Sequence, residues 1–238
     1  MPRFSLTDLD ESRGVITGDE ARHLLRVHRI RSGEKLNVSW QGAPYLAVVT
    51  GLLPDRVEVD VLEVTSAVEP LVAVQLMPAM LKGDKMELVI QKAVELGVSS
   101  LLPVHCQRSI VPLSKAVDRV DRYRKIAGEA AKQSGRTSTP YVEPAEGFSA
   151  ALANARDGLR LIAHEAGGED LWKTLTDNHG ALSVTLAVGP EGGFTSEEVA
   201  EALSAGFVPV GLGPRILRAE TASLALLSII MHHLGDMR

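Results

Sequence analysis

Two stretches of this chain hold the residues best suited to chemistry. The first, Gly189-Pro190-Glu191-Gly192-Gly193-Phe194, follows an apolar run from Ser183 to Val188. Glycine lacks a Cβ, so a backbone this rich in it bends tightly and lets a ligand approach its amide groups closely. The same composition also suits a turn that serves geometry alone. The second stretch, Gly213-Pro214-Arg215-Ile216-Leu217-Arg218, leads through Ala219, Glu220 and Thr221 into an apolar run from Ala222 to Leu234. Glu220 falls at the entrance of the helix this run predicts, where a carboxylate meets the positive end of the helix dipole. Arg218 reads either as its ion-pair mate or as a guanidinium offered to a substrate.

Several chemistries lack their residues. Neither glycine-rich stretch has the G-x-G-x-x-G spacing or the Gly-Lys-Ser ending of a phosphate loop, which disfavours nicotinamide and nucleoside-triphosphate enzymes. No serine lies in a Gly-x-Ser-x-Gly elbow. Histidines 23, 28, 105, 164, 179, 232 and 233 have no metal-ligand spacing, and the single cysteine, Cys106, cannot complete a zinc site. Cys106 reads as a small buried residue rather than a nucleophile, and His232 and His233 as caps of the last helix.

The elements that must position these loops fall into two groups. Up to Val68 the pattern is short and β-rich, with strands expected over Lys35–Trp40, Tyr45–Thr50 and Arg56–Val64 and one short helix near Asp19–Arg26. In the third strand Val57, Val59 and Val61 alternate with Glu58 and Asp60, the period of a strand with one wetted face. A small barrel or sandwich over residues 1–69 follows, with a boundary at Glu69-Pro70. Residues 70–238 alternate strand and helix. Strands are expected over Leu71–Met77, Ser99–Val104, Gly158–Ala163, Ser183–Val188 and Phe207–Leu212. The clearest helix is Asp84–Leu96, with Met86, Val89, Ile90, Ala93 and Val94 on one face, an Asp84/Glu87 capping box and Gly97 as its stop. Thr195 and Glu198 repeat the capping signal. Near-continuous apolar strands between helices predict an α/β domain whose parallel sheet is covered on both faces. Ligands of such sheets sit at the carboxyl ends of strands, where both glycine-rich loops begin. The helix from Ala222 to Leu234 is apolar almost all round, so it must be buried within the domain or against a second subunit.

Length, 238 residues, allows one large domain or two small ones, and one cysteine permits no internal disulfide. The longest apolar run is too short to span a bilayer and Met1–Asp10 has no apolar core, so a soluble cytoplasmic protein without a membrane partner is expected. The net charge of −5 is unevenly spread. Residues 107–136 carry eight basic residues against three acids, and residues 137–204 carry three against eleven. Residues 21–35 hold Arg22, Arg26, Arg29, Arg31 and Lys35 against Glu34 alone. A polyanion is bound by local patches whatever the distant charge, so the two basic clusters suggest a nucleic-acid partner.

Read together as GPEGGF and GLGPRILRAETA, the two loops resemble those of the ribosomal RNA small-subunit methyltransferase E family of the SPOUT class. The resemblance extends to DKMELVIQKAVELGV from Asp84, to Gln107-Arg108-Ser109, to EAAKQSGR from Glu129 and to HLLRVHRIRSGEKL from His23, nearly the whole chain. His28, where leucine is common, and Lys132, where an acid is common, depart from the pattern and bear on RNA contacts rather than on the reaction. The resemblance implies a PUA-like β-barrel domain followed by a SPOUT α/β domain with a trefoil knot, and a homodimer. It implies S-adenosyl-L-methionine as cofactor and methylation of uridine N3 in 16S ribosomal RNA, in an assembled or partly assembled 30S particle. The cofactor would be ringed by Gly189, Pro190, Glu191, Gly192, Leu212, Gly213, Ile216, Leu217 and Thr221. Arg218 becomes the candidate to stabilise charge on the uridine carbonyls, and Glu220 either accepts the N3 proton or orients Arg218. With only nine aromatic residues for stacking, phosphate contacts are expected from Arg22, Arg26, Arg29, Arg31, Lys82, Lys85, Arg108 and Arg136. Two other functions fit the same patches: a non-catalytic ribosome-assembly factor, and a related methyltransferase acting on tRNA or a ribose hydroxyl.

Overall fold

The computed structural model describes residues 2–66, 69–164 and 167–237. The chain divides into two compact units: Met1–Glu69 with Ala131–Thr139, and Pro70–Ala130 with Pro140–Arg238.

In the first unit β1 (Arg3–Ser5), β2 (Asp8–Asp10) and β3 (Arg13–Thr17) precede α1 (Gly18–His23), which runs on into a π turn over Leu24–His28. Then come β4 (Lys35–Trp40), β5 (Ala43–Leu53) and β6 (Arg56–Val64). The strand order is β1-β4-β5-β6-β3-β2, parallel only between β1 and β4. The two edge strands are consecutive in sequence. Leu6 donates to Ser39 of β4 and Thr7 to Val15 of β3, so the sheet curls until its edges meet at these two residues. Val57 and Val59 point into a core with Phe4, Ile16, Leu24, Leu36, Val38 and Val49. The predicted alternation runs through Val57, Val59 and Val61, the last partly covered but packed against the same core. Ala131–Thr139, placed by the sequence reading in the second domain, packs with this unit through Glu69. That carboxylate accepts from the Arg136 guanidinium at 2.9 Å, the Thr137 amide at 2.9 Å and hydroxyl at 2.6 Å, and the Ser138 amide at 2.7 Å.

The second unit runs β7 (Ala73–Pro78), α2 (Lys85–Glu95), β8 (Ser100–Leu101), β9 (Val104–His105), α3 (Leu113–Val117) and α4 (Val120–Ser134), whose last turn belongs to the first unit. It continues with β10 (Tyr141–Val142), β11 (Glu146–Gly147), α5 (Phe148–Ala153), β12 (Leu159–Ala163), α6 (Leu171–Asp177), β13 (Ser183–Val188), α7 (Ser196–Ser204), β14 (Val208–Val210) and α8 (Ala219–His233). Six strands form a wholly parallel sheet in the order β10-β8-β7-β13-β12-β14. β7 and β13 are buried from their second residue onward, as strands covered on both faces must be. Met77, Ile162 and Ala187 pack with Phe148 and Ala151 of α5 and Ala202 of α7, while α8 lies against α2, α6, β7 and β13.

Three local expectations need correction. The strand expected over Ser99–Val104 is two short ones, because Pro103 between them has no N–H to continue a ladder. Asp84 does not cap α2: its backbone is helical (φ −82°, ψ −2°), it makes no side-chain cap bond, and Glu87 pairs instead with Arg122 at 2.7 Å. The last helix begins three residues early, at Ala219, with Arg218 in the N-cap position. Gly97 does end α2, at φ +96°.

Candidate active site

Strand order decides what meets at the carboxyl edge of the sheet. β13, β12 and β14 are neighbours, so the segments leaving them converge although 19 residues separate each strand from the next in the chain. Between them lies a cavity of about 430 Å³, within the ~300–1,000 Å³ typical of small-molecule sites. Its walls are backbone and apolar side chains, including Val188, Phe194, Leu212, Leu217 and Leu226, with Glu191, Arg215 and Arg218 among them.

The glycine loop is held by its neighbours. Thr195 and Glu198 form the predicted capping box at the start of α7: the Thr195 amide donates to Glu198 Oε2 at 2.9 Å and the Glu198 amide to Thr195 Oγ1 at 3.2 Å. The other carboxylate oxygen of Glu198, which is buried, accepts from the Gln107 amide at 2.7 Å. Arg108 then donates to the carbonyls of Gly192 at 2.8 Å and Phe194 at 3.4 Å. One carboxylate and one guanidinium thus clip residues 107–108 to the loop. A Cβ on Gly189 would sit 3.1 Å from the Phe194 ring and 3.2 Å from its amide nitrogen, so the bend leaves little room for a side chain. Gly213 turns the second loop at φ +85°, a conformation disfavoured for other residues. Cys106 lies in the core, where burial, reinforced by the Glu198 charge, pushes its thiol well above the ordinary range. A nucleophilic thiolate there is not available.

Of the residues singled out in the sequence, Gly189, Pro190, Glu191, Gly192, Leu212, Gly213, Ile216, Leu217 and Arg218 line this one cavity. Thr221 and Glu220 do not. Thr221 is exposed on α8. Glu220 turns away from Arg218 to lie 3.5 Å from Lys85 Nζ, and among the described residues Arg218 makes no ion pair, so the Arg218–Glu220 pairing is not formed. Lys85 reaches Glu191 as well, at 3.3 Å. Arg136 is buried against Glu69 and is not free to meet a phosphate, which removes it from the RNA-contact set. Arg22 is exposed beside Asp19, and Arg26, Arg29, Arg31 and Lys82 are exposed. Sequence reasoning missed Ala163 and His164 at the end of β12, and Val210, Ala222 and Leu226. Only the position of β12 between β13 and β14 brings the first two to the cavity.

A family model for an RNA methyltransferase domain matches residues 68–231, a span that contains both loops and every cavity-lining residue. The fold and site therefore define a protein of the RNA methyltransferase class. Ribosomal RNA small subunit methyltransferase E of Bacillus subtilis is 34% identical over 233 residues, covering 94% of this chain and 91% of its own. Its namesake from Mycobacterium bovis is 33% identical over 230 residues, covering 91% and 85%. The crystal structure of a ribosomal RNA small subunit methyltransferase E from Neisseria gonorrhoeae bound to S-adenosyl methionine superposes with a TM-score of 0.87 at 33% identity, over 100% of both chains. A putative methyltransferase from Legionella pneumophila, in complex with the bound cofactor SAM, gives 0.85 at 28% identity over 99% of this chain and 98% of the other. The chain belongs to the ribosomal RNA small subunit methyltransferase E family.

Proposed function

We propose that this protein binds S-adenosylmethionine between its two glycine-rich loops and methylates N3 of a specific uridine in 16S ribosomal RNA. The observation that carries the reading is the single cavity lined by both loops, with Arg218 on its wall. The fit rests on that cavity's own chemistry. Glycine-rich backbone allows close approach to an adenosine, and apolar side chains suit its faces. Bound S-adenosylmethionine supplies a methyl group activated on a sulfonium sulfur.

The chain's residues have three tasks. The two loops hold the donor and exclude water, and the acceptor must be kept within about 3–3.5 Å of the methyl carbon. Uridine N3 carries a proton and is a poor nucleophile until water takes that proton, which places negative charge on the ring carbonyls. A fixed guanidinium beside them stabilises that charge as it develops, and Arg218 is assigned this role. Glu220 is engaged with Lys85 outside the cavity lining, which supports a structural part for it rather than proton abstraction. The target base must be unstacked from its RNA to enter the cavity. Affinity for the RNA is assigned to phosphate contacts from Arg22, Arg26, Arg29 and Arg31 of the first unit and from Lys82 and the exposed Arg108 of the second.

The reading includes a PUA-like first domain, a trefoil knot formed by the carboxyl-terminal segment, a cytoplasmic location and a homodimer acting on an assembled or partly assembled 30S particle. Support for the dimer comes from α8, whose Leu224, Ala225 and Ile229 are only half-buried in one chain. Trp172, 63% exposed, packs edge-on against His233 of the same helix. Among the described residues no helix is long and apolar enough to cross a membrane. The test is calorimetry with S-adenosylmethionine followed by mass mapping of ribosomal RNA after reaction. Donor binding and N3-methyluridine are expected. No heat on adding the donor, or a methyl group on a ribose or another base, refutes the corresponding part.

A further inference from the structure

Lys85 stands in an unfavourable place for a cation. It is the first residue of α2, where the unsatisfied amides of the helix already concentrate positive charge. Asp84 makes no side-chain cap bond, and Glu87, the acid of the first turn, is taken up by Arg122 at 2.7 Å. What offsets it is a pair of carboxylates from two other elements. Lys85 Nζ lies 3.3 Å from Glu191 Oε1 and 3.5 Å from Glu220 Oε2. Glu191 belongs to the loop leaving β13, and Glu220 to the first turn of α8, immediately after the loop leaving β14. One ammonium therefore joins the two segments that wall the cavity.

The environment makes this more than a surface pair. The Glu220 side chain is 13% exposed, that of Glu191 28% and that of Lys85 36%, so the charges are partly shielded from solvent and salt. Glu220 Oε2 is buried and accepts no hydrogen bond in the described structure, which leaves Lys85 as its compensating charge. Arg108 and the Thr195/Glu198 box hold the carboxyl end of the first loop, but nothing else named joins it to the second, where Gly211 and Gly213 loosen the backbone. A tie between them reduces the ordering that a ligand must impose, which is how preorganisation raises affinity.

We propose that Lys85 is a positioning residue that clasps the two cavity loops through Glu191 and Glu220 and preorganises the donor site, rather than a phosphate contact. This rests on the reading that the cavity takes S-adenosylmethionine. The experiment uses the full-length protein, with S-adenosylmethionine as calorimetric probe and fluorescently labelled 16S ribosomal RNA titrated over a range of salt. Lys85→Met is expected to weaken donor affinity about tenfold, a loss typical of coupling through a positioned element, and Lys85→Arg to restore most of it. The salt slope of RNA binding should stay at the wild-type value. A folded Lys85→Met protein with unchanged donor affinity overturns the proposal. So does a salt slope lower by about one, the signature of a lost phosphate contact.

Two further measurements keep the outcome decisive. Should Lys85→Met fail to fold, the charge exchange Lys85→Glu with Glu220→Lys is compared with Lys85→Glu alone. Donor binding restored by the second substitution supports the clasp, and no restoration refutes it. Amide hydrogen exchange without any donor reads the clasp independently of the ligand. Lys85→Met is expected to speed exchange in both residues 189–194 and 213–218, and unchanged protection in either loop refutes the proposal. If the wild type binds no donor yet both loops loosen in the variant, the donor assignment fails and the clasp stands.

Discussion

Arg218 illustrates how a residue's type and its surroundings together define a role. It sits in the N-cap position of α8 with extended backbone (φ −65°, ψ 150°), makes no cap bond, and lines the cavity. A guanidinium with no carboxylate mate among the described residues is available to a substrate in a way that a salt-bridged one is not. Arg218→Ala is expected to lower the rate of methyl transfer by about 10²–10³, the usual effect of deleting one transition-state donor. Donor and RNA affinities should stay within a few-fold, measured by calorimetry and filter binding. Equal loss of RNA affinity would instead make Arg218 a binding residue. The contrast with Arg136 is instructive, because the two share a side chain and differ in everything around it. Arg136 is buried on Glu69 and serves the fold.

At the level of elements, the site depends on how loop ends are tied. Glu198 closes the α7 capping box and also accepts from Gln107. Its replacement by alanine leaves two amides without partners, and the expected loss is about 1–3 kcal/mol of stability in urea unfolding. A loss below ~0.5 kcal/mol would mean that these bonds are replaced by solvent. Glu69 makes the comparable tie for residues 131–139. Burial pushes its carboxyl up, but bonds from Thr137, Arg136 and Ser138 and the Arg136 charge outweigh this and leave it below the ordinary value. Its stabilising contribution is therefore complete above the unfolded glutamate value of about 4.3 and is lost as pH falls through the lower folded value. Wild type should be more stable than Glu69→Gln at pH 6–7, with the difference shrinking as pH drops toward 3 in chemical denaturation. A difference independent of pH would remove the ionised carboxylate as its source.

At the scale of the whole molecule the proposed dimer turns on α8. α8 is apolar almost all round, and its own chain covers only part of it, leaving Leu224, Ala225 and Ile229 half-buried. Ile229→Asp places a charge on that face and is expected to shift the protein from dimer to monomer in analytical ultracentrifugation. An unchanged dimer would locate the interface elsewhere, and a monomeric wild type would end the dimer reading. Long-range order also sorts the charges of a protein whose net charge is −5. Arg22, Arg26, Arg29 and Arg31 stay exposed while acids such as Glu69, Glu198 and Glu220 are drawn into partnerships inside the structure.

Local chemistry in the sequence determined a good deal of this protein. The run Ser183–Val188 is a strand with those bounds, Thr195 and Glu198 form their capping box, Gly97 stops α2, and nine of the eleven residues assigned to the cofactor and the reaction line one cavity. The strand, the capping box and the helix stop depend on neighbours a few residues away, so periodicity and turn chemistry report them; the cavity-lining set came instead from the resemblance of both loops to a known family. Only the tertiary structure decided that β12 lies between β13 and β14, bringing His164 to the cavity, that Arg136 is buried, and that Lys85 joins Glu191 to Glu220. Those pairings span up to 135 positions of chain. No local pattern encodes them, because a charged side chain carries no mark of its partner until the order of strands has set which ends of the sheet are adjacent.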